Sequence, residues 1–201
     1  VWNRSPRAVP NFLPSAQAIA EHSRVIQIFV TDGEAVLSVV ETMSASLSAD
    51  HIVINCSTIA PEDNLKAADI VEKTGAAFLD APFTGSKEAA EAGALVYYAG
   101  GEARVIREAT PYLELSSRAV VPIGDIGDAT AVKIATNMIA AAATEGLAEA
   151  LGLCVAMDVQ PEKLATALDH HGVSSPLTQL KFPQMIAADF EPRFSLDNMI
   201  K

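Results

Sequence analysis

Short apolar, β-branched runs alternate with segments of helical spacing along the first 127 residues of the chain. Short apolar runs bounded by turn residues are typical of buried strands, and apolar residues three and four apart indicate helices. We predict strands over residues 23–30, 51–56, 76–81, 94–99 and 119–123, and helices over residues 34–47, 61–75 and 102–113. Pro122 places the last strand at a sheet edge, since it lacks an N–H donor. This order builds βαβ units, so we expect an α/β fold with a mainly parallel sheet.

Only helical patterns follow Gly127. Residues 128–157 would form one helix of about 45 Å at 1.5 Å per residue, which is too long for one small domain and suits a bridge between two. Residues 161–171 and 177–188 are predicted to be further helices of an all-α domain. We therefore expect a sheet domain over residues 1–126 and a helical domain that begins at residue 127.

The charge balance argues against two classes of partner. The 201 residues carry a formal net charge of −11, whereas nucleic acids and anionic membranes attract clustered Lys and Arg. The apolar stretch over residues 129–157 is interrupted by Lys133, Asn137, Glu145 and Glu149, so we interpret it as a helix of a soluble protein and not as a membrane span. We expect neither nucleic acid nor membrane among the partners.

Cysteine use and the chain ends point to the compartment and to a longer parent protein. Cys56 and Cys154 are far apart and each lies in an apolar stretch, which predicts two reduced, buried thiols in a cytoplasmic protein. No signal-peptide pattern opens the chain. Because there is no initiator Met and the sequence stops at Lys201, we expect the chain to be a fragment.

Two glycines and two polar side chains mark the start of the long helix. Gly124 and Gly127 indicate the turn from the last predicted strand, and Lys133 and Asn137 lie four apart on one helix face. An amine among Ala, Ile and Met side chains can donate a proton to a carbonyl oxygen. A lysine whose amine reaches solvent from the helix edge explains the spacing equally well.

A polar loop follows the strand predicted over residues 76–81. Thr84, Gly85 and Ser86 would lie at the carboxyl edge of the sheet, where open α/β sheets bind ligands. Backbone N–H groups in such a loop can hold a carboxylate. On the residues alone, a structural turn is the simpler interpretation.

The first residues of the chain bear on cofactor choice. Residues 1–3 resemble the end of a strand, and Asn3, Arg4 and Ser5 follow as a turn. An Arg after the second strand of a dinucleotide-binding fold accommodates the 2′-phosphate of NADP, whereas an acidic residue there binds the ribose of NAD. A solvated Arg in a turn is the simpler interpretation of this tripeptide alone.

The remaining polar clusters give no site. His170 and His171 are adjacent, so they do not share a helix face, and no third ligand lies at a suitable spacing. We therefore predict no metal site. Glu88 and Glu91 are interpreted as a solvated helix face.

Taken together, these residues resemble the β-hydroxyacid dehydrogenase family, the 3-hydroxyisobutyrate dehydrogenase-like proteins, in order over all 201 residues. Residues 80–93 look like the substrate-loop motif of the family. The Gly85-Ser86-Lys87 version is most similar to its glyoxylate/succinic semialdehyde reductase branch. The glycines before Lys133 and Asn137 look like the catalytic motif.

The resemblance implies a Rossmann-type doubly wound sheet in a dinucleotide-binding domain, residues 1–126, truncated in its N-terminal part. Residues 127–201 would form the long interdomain helix and the start of an all-α substrate and dimerisation domain, truncated in its C-terminal part. The full-length protein would then be a homo-oligomer, a dimer or a tetramer.

The resemblance also assigns roles to single residues. Lys133 would be the catalytic acid in reduction and the base in oxidation. The substrate would be held by Thr84, Gly85, Ser86, Asn137 and Lys201. The cofactor would be held by Asn3, Arg4, Ser5, Phe29, Val30, Thr58 and Lys201.

Three departures from the family pattern matter. The first strand and its Gly-x-Gly-x-x-Gly loop should precede Val1, and without this pyrophosphate anchor the chain should bind cofactor poorly. Ala129 stands where Gly is frequent. Thr84 stands where Ser is usual, and it keeps the hydroxyl.

The resemblance implies an oxidoreductase that transfers a hydride between NADP(H) and a small aldehyde-acid or hydroxy acid of the glyoxylate or succinic semialdehyde type. The expected ligand is thus a small carboxylate-bearing substrate. Two alternatives stay open. One is an NAD-dependent dehydrogenase of the 3-hydroxyisobutyrate or tartronate semialdehyde type, and the other is a non-catalytic interaction module on the same fold.

Overall fold

The computed structural model describes residues 1–191, which form two compact units. The first unit is Val1–Ile134, and the second begins at Ala135. The strands of the first unit are β1 Val25–Ile28, β2 Ile52–Asn55, β3 Ala77–Asp80, β4 Phe83–Thr84, β5 Leu95–Gly100 and β6 Ser117–Gly124. The helices are α1 Ala16–His22, α2 Gly33–Ser44, α3 Pro61–Glu72, α4 Lys87–Glu91, α5 Ala103–Leu113, α6 Asp128–Ala156, α7 Pro161–Asp169 and α8 Pro176–Ile186.

The six strands form one mixed sheet in the order β1-β2-β3-β5-β4, with β6 paired to β5. The β1–β2, β2–β3 and β5–β6 pairs are parallel, whereas β5 runs antiparallel to β3 and β4. The predicted α/β fold with a mainly parallel sheet is therefore confirmed. The antiparallel return of β5 was not predicted. Only residues 85–94 connect β4 to β5, and a parallel crossover needs a dozen or more residues.

Helices cover both faces of this sheet. All four residues of β2 are buried, as expected for a strand with apolar cores on both sides. One core packs α1, α2 and α3 against the sheet through side chains such as Val40, Met43 and Phe78. The other lies under α5 and includes Leu79, Tyr97 and Leu113.

One predicted strand is wrong. Residues 1–3 form no strand and belong to a loop that runs to α1. The N–H of Leu13 donates to the carbonyl of Val1 (2.7 Å), and the Val1 amino group donates to the carbonyl of Asn11 (2.9 Å). The backbone of this segment therefore bonds within the loop, because no strand among residues 1–191 pairs with it.

The long helix α6 begins in the first unit and continues into the second. It has 29 residues, as the sequence predicted to within one residue. By length and composition alone it also meets the criterion for a membrane span, with a mean hydropathy of 1.5 over its most apolar window. Cys56 is buried as expected, but Cys154 on α6 is only half-buried, because apolar side chains along this helix are largely exposed.

In the residues that the structure describes, the second unit contains helices joined by turns and no strand. It comprises α6 from Ala135 onward, α7 and α8, and the last two helices pack on each other. A capping box starts α8, in which Ser175 and Thr178 satisfy each other's backbone N–H groups. Phe182 is the buried aromatic residue of this helix.

We predict that Met43→Ala lowers the free energy of unfolding by about 2–5 kcal/mol, since it removes a long apolar side chain and leaves a cavity. Met43 is 1% exposed at the end of α2, in the core under the sheet. Urea denaturation followed by circular dichroism measures the change. Leu65→Ala on α3 is the control, because Leu65 is 55% exposed and its loss should change stability by about 0.5 kcal/mol or less. Equal effects of the two substitutions would contradict the assigned core.

Candidate functional site

The carboxyl ends of three neighbouring parallel strands meet at one edge of the sheet. Backbone bonds continue past the strand ends, from the N–H of Cys56 to Ile28 O (2.9 Å) and from the N–H of Ala81 to Asn55 O (2.8 Å). The hydroxyl of Ser57 accepts the N–H of Val30 at 2.9 Å, which joins the loops that follow β1 and β2. Ligands of open α/β sheets bind at this edge.

Aromatic side chains connect this edge to the loop that follows β3. The Phe29 and Phe83 rings contact edge to face, with centroids 5.9 Å apart and an interplanar angle of 62°. Phe83 in turn lies 5.9 Å from the buried Tyr97 of β5. Phe29 nevertheless remains 53% exposed, so one flat apolar surface at the edge faces solvent.

The polar loop after β4 is built around a glycine. Thr84 pairs with Val96 of β5, and Ser86 starts α4 by accepting the N–H of Ala89 at 3.2 Å. Between them Gly85 has φ +139°, a conformation that L side chains rarely adopt. A Cβ there would lie 2.7 Å from Cδ2 of Leu95, whose side chain would have to move, but it is the backbone angle that requires glycine.

A buried polar network lies at the end of β3. Asp80, at the end of β3, accepts hydrogen bonds from the N–H groups of Gly127 and Thr130 on Oδ2 (both 3.0 Å). Its Oδ1 accepts the Thr130 hydroxyl (2.7 Å) and the Asn64 amide (3.2 Å). Asn64 also donates to the Thr130 hydroxyl (2.8 Å) and accepts from the Asn55 amide (2.8 Å). The network ties the start of α6 to the sheet.

Two opposing effects act on the charge of Asp80. Burial raises the pKa of its carboxyl, and the hydrogen bonds from Thr130 and Gly127 oppose that rise. Thr130 lies in the amino-terminal turn of α6 and Gly127 directly precedes this helix, and the dipole at a helix amino terminus favours a negative charge. The ionised carboxylate therefore has donors on both of its oxygens.

Lys133 lies on α6 one turn beyond Thr130 and is 9% exposed. Burial lowers the pKa of its amine, because the charged form loses hydration. An amine whose pKa is lowered toward neutral pH can both donate and accept a proton, which suits general acid–base chemistry.

The first unit thus brings together most of the residues predicted for the site. The carboxyl edge carries Phe29, Val30, Thr58 and the loop of Thr84 to Ser86, and Asp80 anchors the helix of Lys133 beside it.

The other predicted residues form three sets. Asn3, Arg4 and Ser5 lie in the loop before α1, where the Asn3 amide donates to Ser5 O (2.8 Å) and Arg4 is exposed. Asn137 belongs to the second unit, and Lys201 falls outside the described residues.

Sequence reasoning missed Asn64, Asp80 and Thr130, which are fully buried polar residues. Asp80 ends an apolar strand and Asn64 lies on the buried face of α3, so a polar residue at a core position was the available signal. Their mutual contacts join positions up to 66 residues apart, and no sequence spacing reports such contacts.

Other features of the described residues give no competing site. A cavity of about 590 Å³ beside α5 is lined by residues such as Arg24, His51 and Glu108, and includes none of the predicted site residues. Burial raises the pKa of the Cys56 thiol, so this cysteine stays protonated. Within residues 1–191 no group of three or more His, Cys, Asp or Glu side chains could hold a metal ion.

Two family models match adjacent parts of the chain. The NAD binding domain of 6-phosphogluconate dehydrogenase matches residues 1–124. The NAD-binding model of NADP-dependent 3-hydroxyisobutyrate dehydrogenase matches residues 127–201. The apolar helix α6 therefore falls within a matched family domain.

Curated proteins and solved structures show the same relationship. The chain is 33% identical over 178 residues to 3-hydroxyisobutyrate dehydrogenase of Pseudomonas aeruginosa, which is 84% of this chain and 60% of that protein. It is 28% identical over 155 residues to the chloroplastic glyoxylate/succinic semialdehyde reductase 2 of Arabidopsis thaliana, which is 77% of this chain and 43% of that protein. The Mycobacterium tuberculosis 3-hydroxyisobutyrate dehydrogenase structure with L-serine superposes with a TM-score of 0.85 at 25% identity, over 94% of this chain and 67% of that one.

The chain spans 43% to 60% of the length of these two curated relatives. Within that span, both of its units are matched by consecutive family models, and the sheet, the long helix and the loop after β4 follow in the order that the motifs predicted. The chain belongs to the β-hydroxyacid dehydrogenase family, the 3-hydroxyisobutyrate dehydrogenase-like proteins.

Proposed function

We propose that the complete protein is an NADP-preferring reductase that converts a small aldehyde-acid, of the glyoxylate or succinic semialdehyde type, to the hydroxy acid. Lys133 donates the proton to the carbonyl oxygen. The observation that carries this proposal is a buried amine on α6, anchored through Thr130 and Asp80 to the sheet edge where the loop of Thr84 begins.

The substrate carboxylate would be held by the loop after β4. The Thr84 and Ser86 hydroxyls lie on either side of Gly85, and the loop is exposed, so a ligand can reach its N–H groups. Backbone N–H groups and hydroxyls together are suitable donors for a carboxylate. Asn137, on the same helix as Lys133, is proposed to orient the substrate.

The residues at the sheet edge fit a nicotinamide cofactor. Phe29, which packs on Phe83, presents an exposed apolar surface against which a flat ring can lie, and Thr58 lies in the loop that follows β2 at the same edge. We propose that Phe29, Val30 and Thr58 hold the nicotinamide end, and that Asn3, Arg4 and Ser5 hold the ribose phosphate. When bound, the cofactor supplies the hydride in reduction and accepts it in oxidation.

Proton transfer is then carried out by a residue of the chain itself. In reduction, protonated Lys133 donates to the oxygen of the substrate carbonyl and is left neutral. In oxidation, neutral Lys133 removes the proton from the hydroxyl. Because burial lowers its pKa, the neutral form is accessible at lower pH than for an exposed lysine.

One observation favours a second candidate function. The chain is 33% identical in sequence to the Pseudomonas dehydrogenase and 28% identical to the Arabidopsis reductase. An NAD-dependent dehydrogenase of a 3-hydroxyisobutyrate type, working in the oxidative direction, would use the same Lys133 as its base. Comparison of kcat/KM with NADPH and with NADH on both substrate types separates the two.

We further propose a cytoplasmic setting and a homo-oligomeric protein. The charge of −11 supports a small-molecule function without nucleic acid or membrane as partner. The free thiols Cys56 and Cys154 support a reducing compartment.

We predict that Lys133→Ala in the complete protein lowers kcat for aldehyde-acid reduction by about 10²- to 10⁴-fold, because it removes the proton donor. Stopped-flow loss of NADPH absorbance measures this rate. Lys66→Ala is the matched control, since Lys66 is an exposed lysine on α3 and its loss should leave kcat unchanged. Retention of most turnover by Lys133→Ala would remove Lys133 from the mechanism.

We predict opposite pH profiles for the two directions. Reduction needs the protonated amine, so its kcat/KM decreases as pH rises through the lowered pKa of Lys133, whereas that of oxidation increases. In Lys133→Arg both of these pH dependences should disappear from the residual activity, since a guanidinium does not lose its proton in proteins. If the pH dependence of that variant is the same as that of the wild type, another group titrates.

We predict that Arg4→Ala raises the KM for NADPH by about 10- to 100-fold and leaves the KM for NADH nearly unchanged, because one charge-assisted hydrogen bond to the 2′-phosphate is lost. Steady-state kinetics with both cofactors provide the measurement. Arg7→Ala is the control, since Arg7 is exposed in the same loop. If the wild-type protein prefers NADH, the NADP assignment is wrong.

A further inference from the structure

We propose that Asp80 is a positioning residue, which sets the distance between Lys133 and the loop of Thr84 by tying the start of α6 to the end of β3. The inference rests on the proposed function of Lys133. Asp80 itself need not touch substrate or cofactor for this role.

The first link is between Asp80 and the start of α6. The first N–H groups of a helix have no carbonyl partner within the helix. Those of Gly127 and Thr130 donate to Oδ2 of Asp80, each at 3.0 Å, and the Thr130 side chain donates to Oδ1. A residue of the sheet thus caps the start of α6, and one of the donors, Gly127, lies 47 residues later in the chain.

Further hydrogen bonds restrict the movement of Asp80 and Thr130. The Thr130 hydroxyl donates to Asp80 and accepts from Asn64, whose own oxygen accepts from Asn55. One hydrogen-bonded chain therefore joins β2, α3, β3 and α6. All four side chains are fully buried, so no water competes for these bonds and each polarises the next.

The contact between Asp80 and Thr130 is also connected to the proposed catalytic residue and to the proposed substrate loop. Lys133 lies three residues after Thr130 on the same helix, and the strand that carries Asp80 continues through Pro82 into β4 and the loop of Thr84. One carboxylate therefore holds both the proton donor and the segment proposed to hold the substrate carboxylate. Groups that transfer protons must be placed to within about 0.5 Å, so a contact that fixes the start of α6 against β3 bears directly on their separation.

The test replaces the carboxylate by its amide. Asp80→Asn keeps the shape but has one acceptor oxygen, so one of the two pairs of donors meets an NH2 group. We expect kcat in the complete protein to fall by about 10- to 100-fold, because a misplacement near 1 Å costs about that much. The KM for the aldehyde-acid should change by less than about 3-fold, since the loop of Thr84 keeps its own contacts with β5.

A second pair of variants gives an independent readout if Asp80→Asn does not fold. Thr130→Val removes the hydroxyl that joins Asp80 to Asn64, and Thr130→Ser keeps it. We expect Thr130→Val to lower kcat in the same way, with KM little changed, and Thr130→Ser to retain wild-type kcat. A valine and a threonine have nearly the same volume, so packing alone does not explain a difference.

Met43→Ala controls for lost stability. It destabilises the same unit from the far end of α2, away from the start of α6. The positioning role is wrong if the kcat values of Asp80→Asn and Thr130→Val equal that of Met43→Ala. It is also wrong if the two variants raise KM and leave kcat unchanged. Loss of turnover in Lys133→Ala together with that result would leave the proposed function intact. Full turnover in Lys133→Ala would instead remove the proposed function, and this inference with it.

Discussion

The carboxylate of Asp80 accepts four hydrogen bonds inside the protein, from two backbone N–H groups and two side chains. A buried carboxylate is stable only when such donors replace water. Here the donors include the first turn of α6, whose N–H groups would otherwise be buried without partners. The same contact therefore offsets the cost of burying the charge and provides an acceptor for the N–H groups at the start of the helix.

The candidate site depends on this contact. The parallel strands bring Phe29, Thr58 and the loop of Thr84 to one edge, but a sheet alone offers no proton donor there. Lys133 lies one turn beyond Thr130, whose N–H and hydroxyl bind Asp80, so this contact fixes where the helix of the lysine begins. Burial of Lys133 lowers the pKa of its amine. The hydrogen bonds to Asp80 thus position the helix of the proposed proton donor, and burial increases its acidity.

Much of the fold was predictable because apolar residues recur at different spacings in strands and in helices. The β-branched runs gave β1, β2, β3, β5 and β6, and the helical spacing gave α2, α3 and α5 to α8. The errors concern elements that local pattern does not determine. Residues 1–3 look like a strand but have no neighbour to pair with among residues 1–191, and β5 is antiparallel because its connection is short.

The sequence by itself determined the element order and the family motifs, and it made Lys133 a candidate catalytic residue, since all of these follow from residue type and spacing along the chain. It could not decide between a lysine reaching solvent and a buried amine. Only the tertiary structure decided that, by burying Lys133 to 9% exposure beside an anchored helix start. The network of Asn55, Asn64, Asp80 and Thr130 was likewise decided in three dimensions, because hydrogen bonds join side chains that are near in space and far apart in sequence.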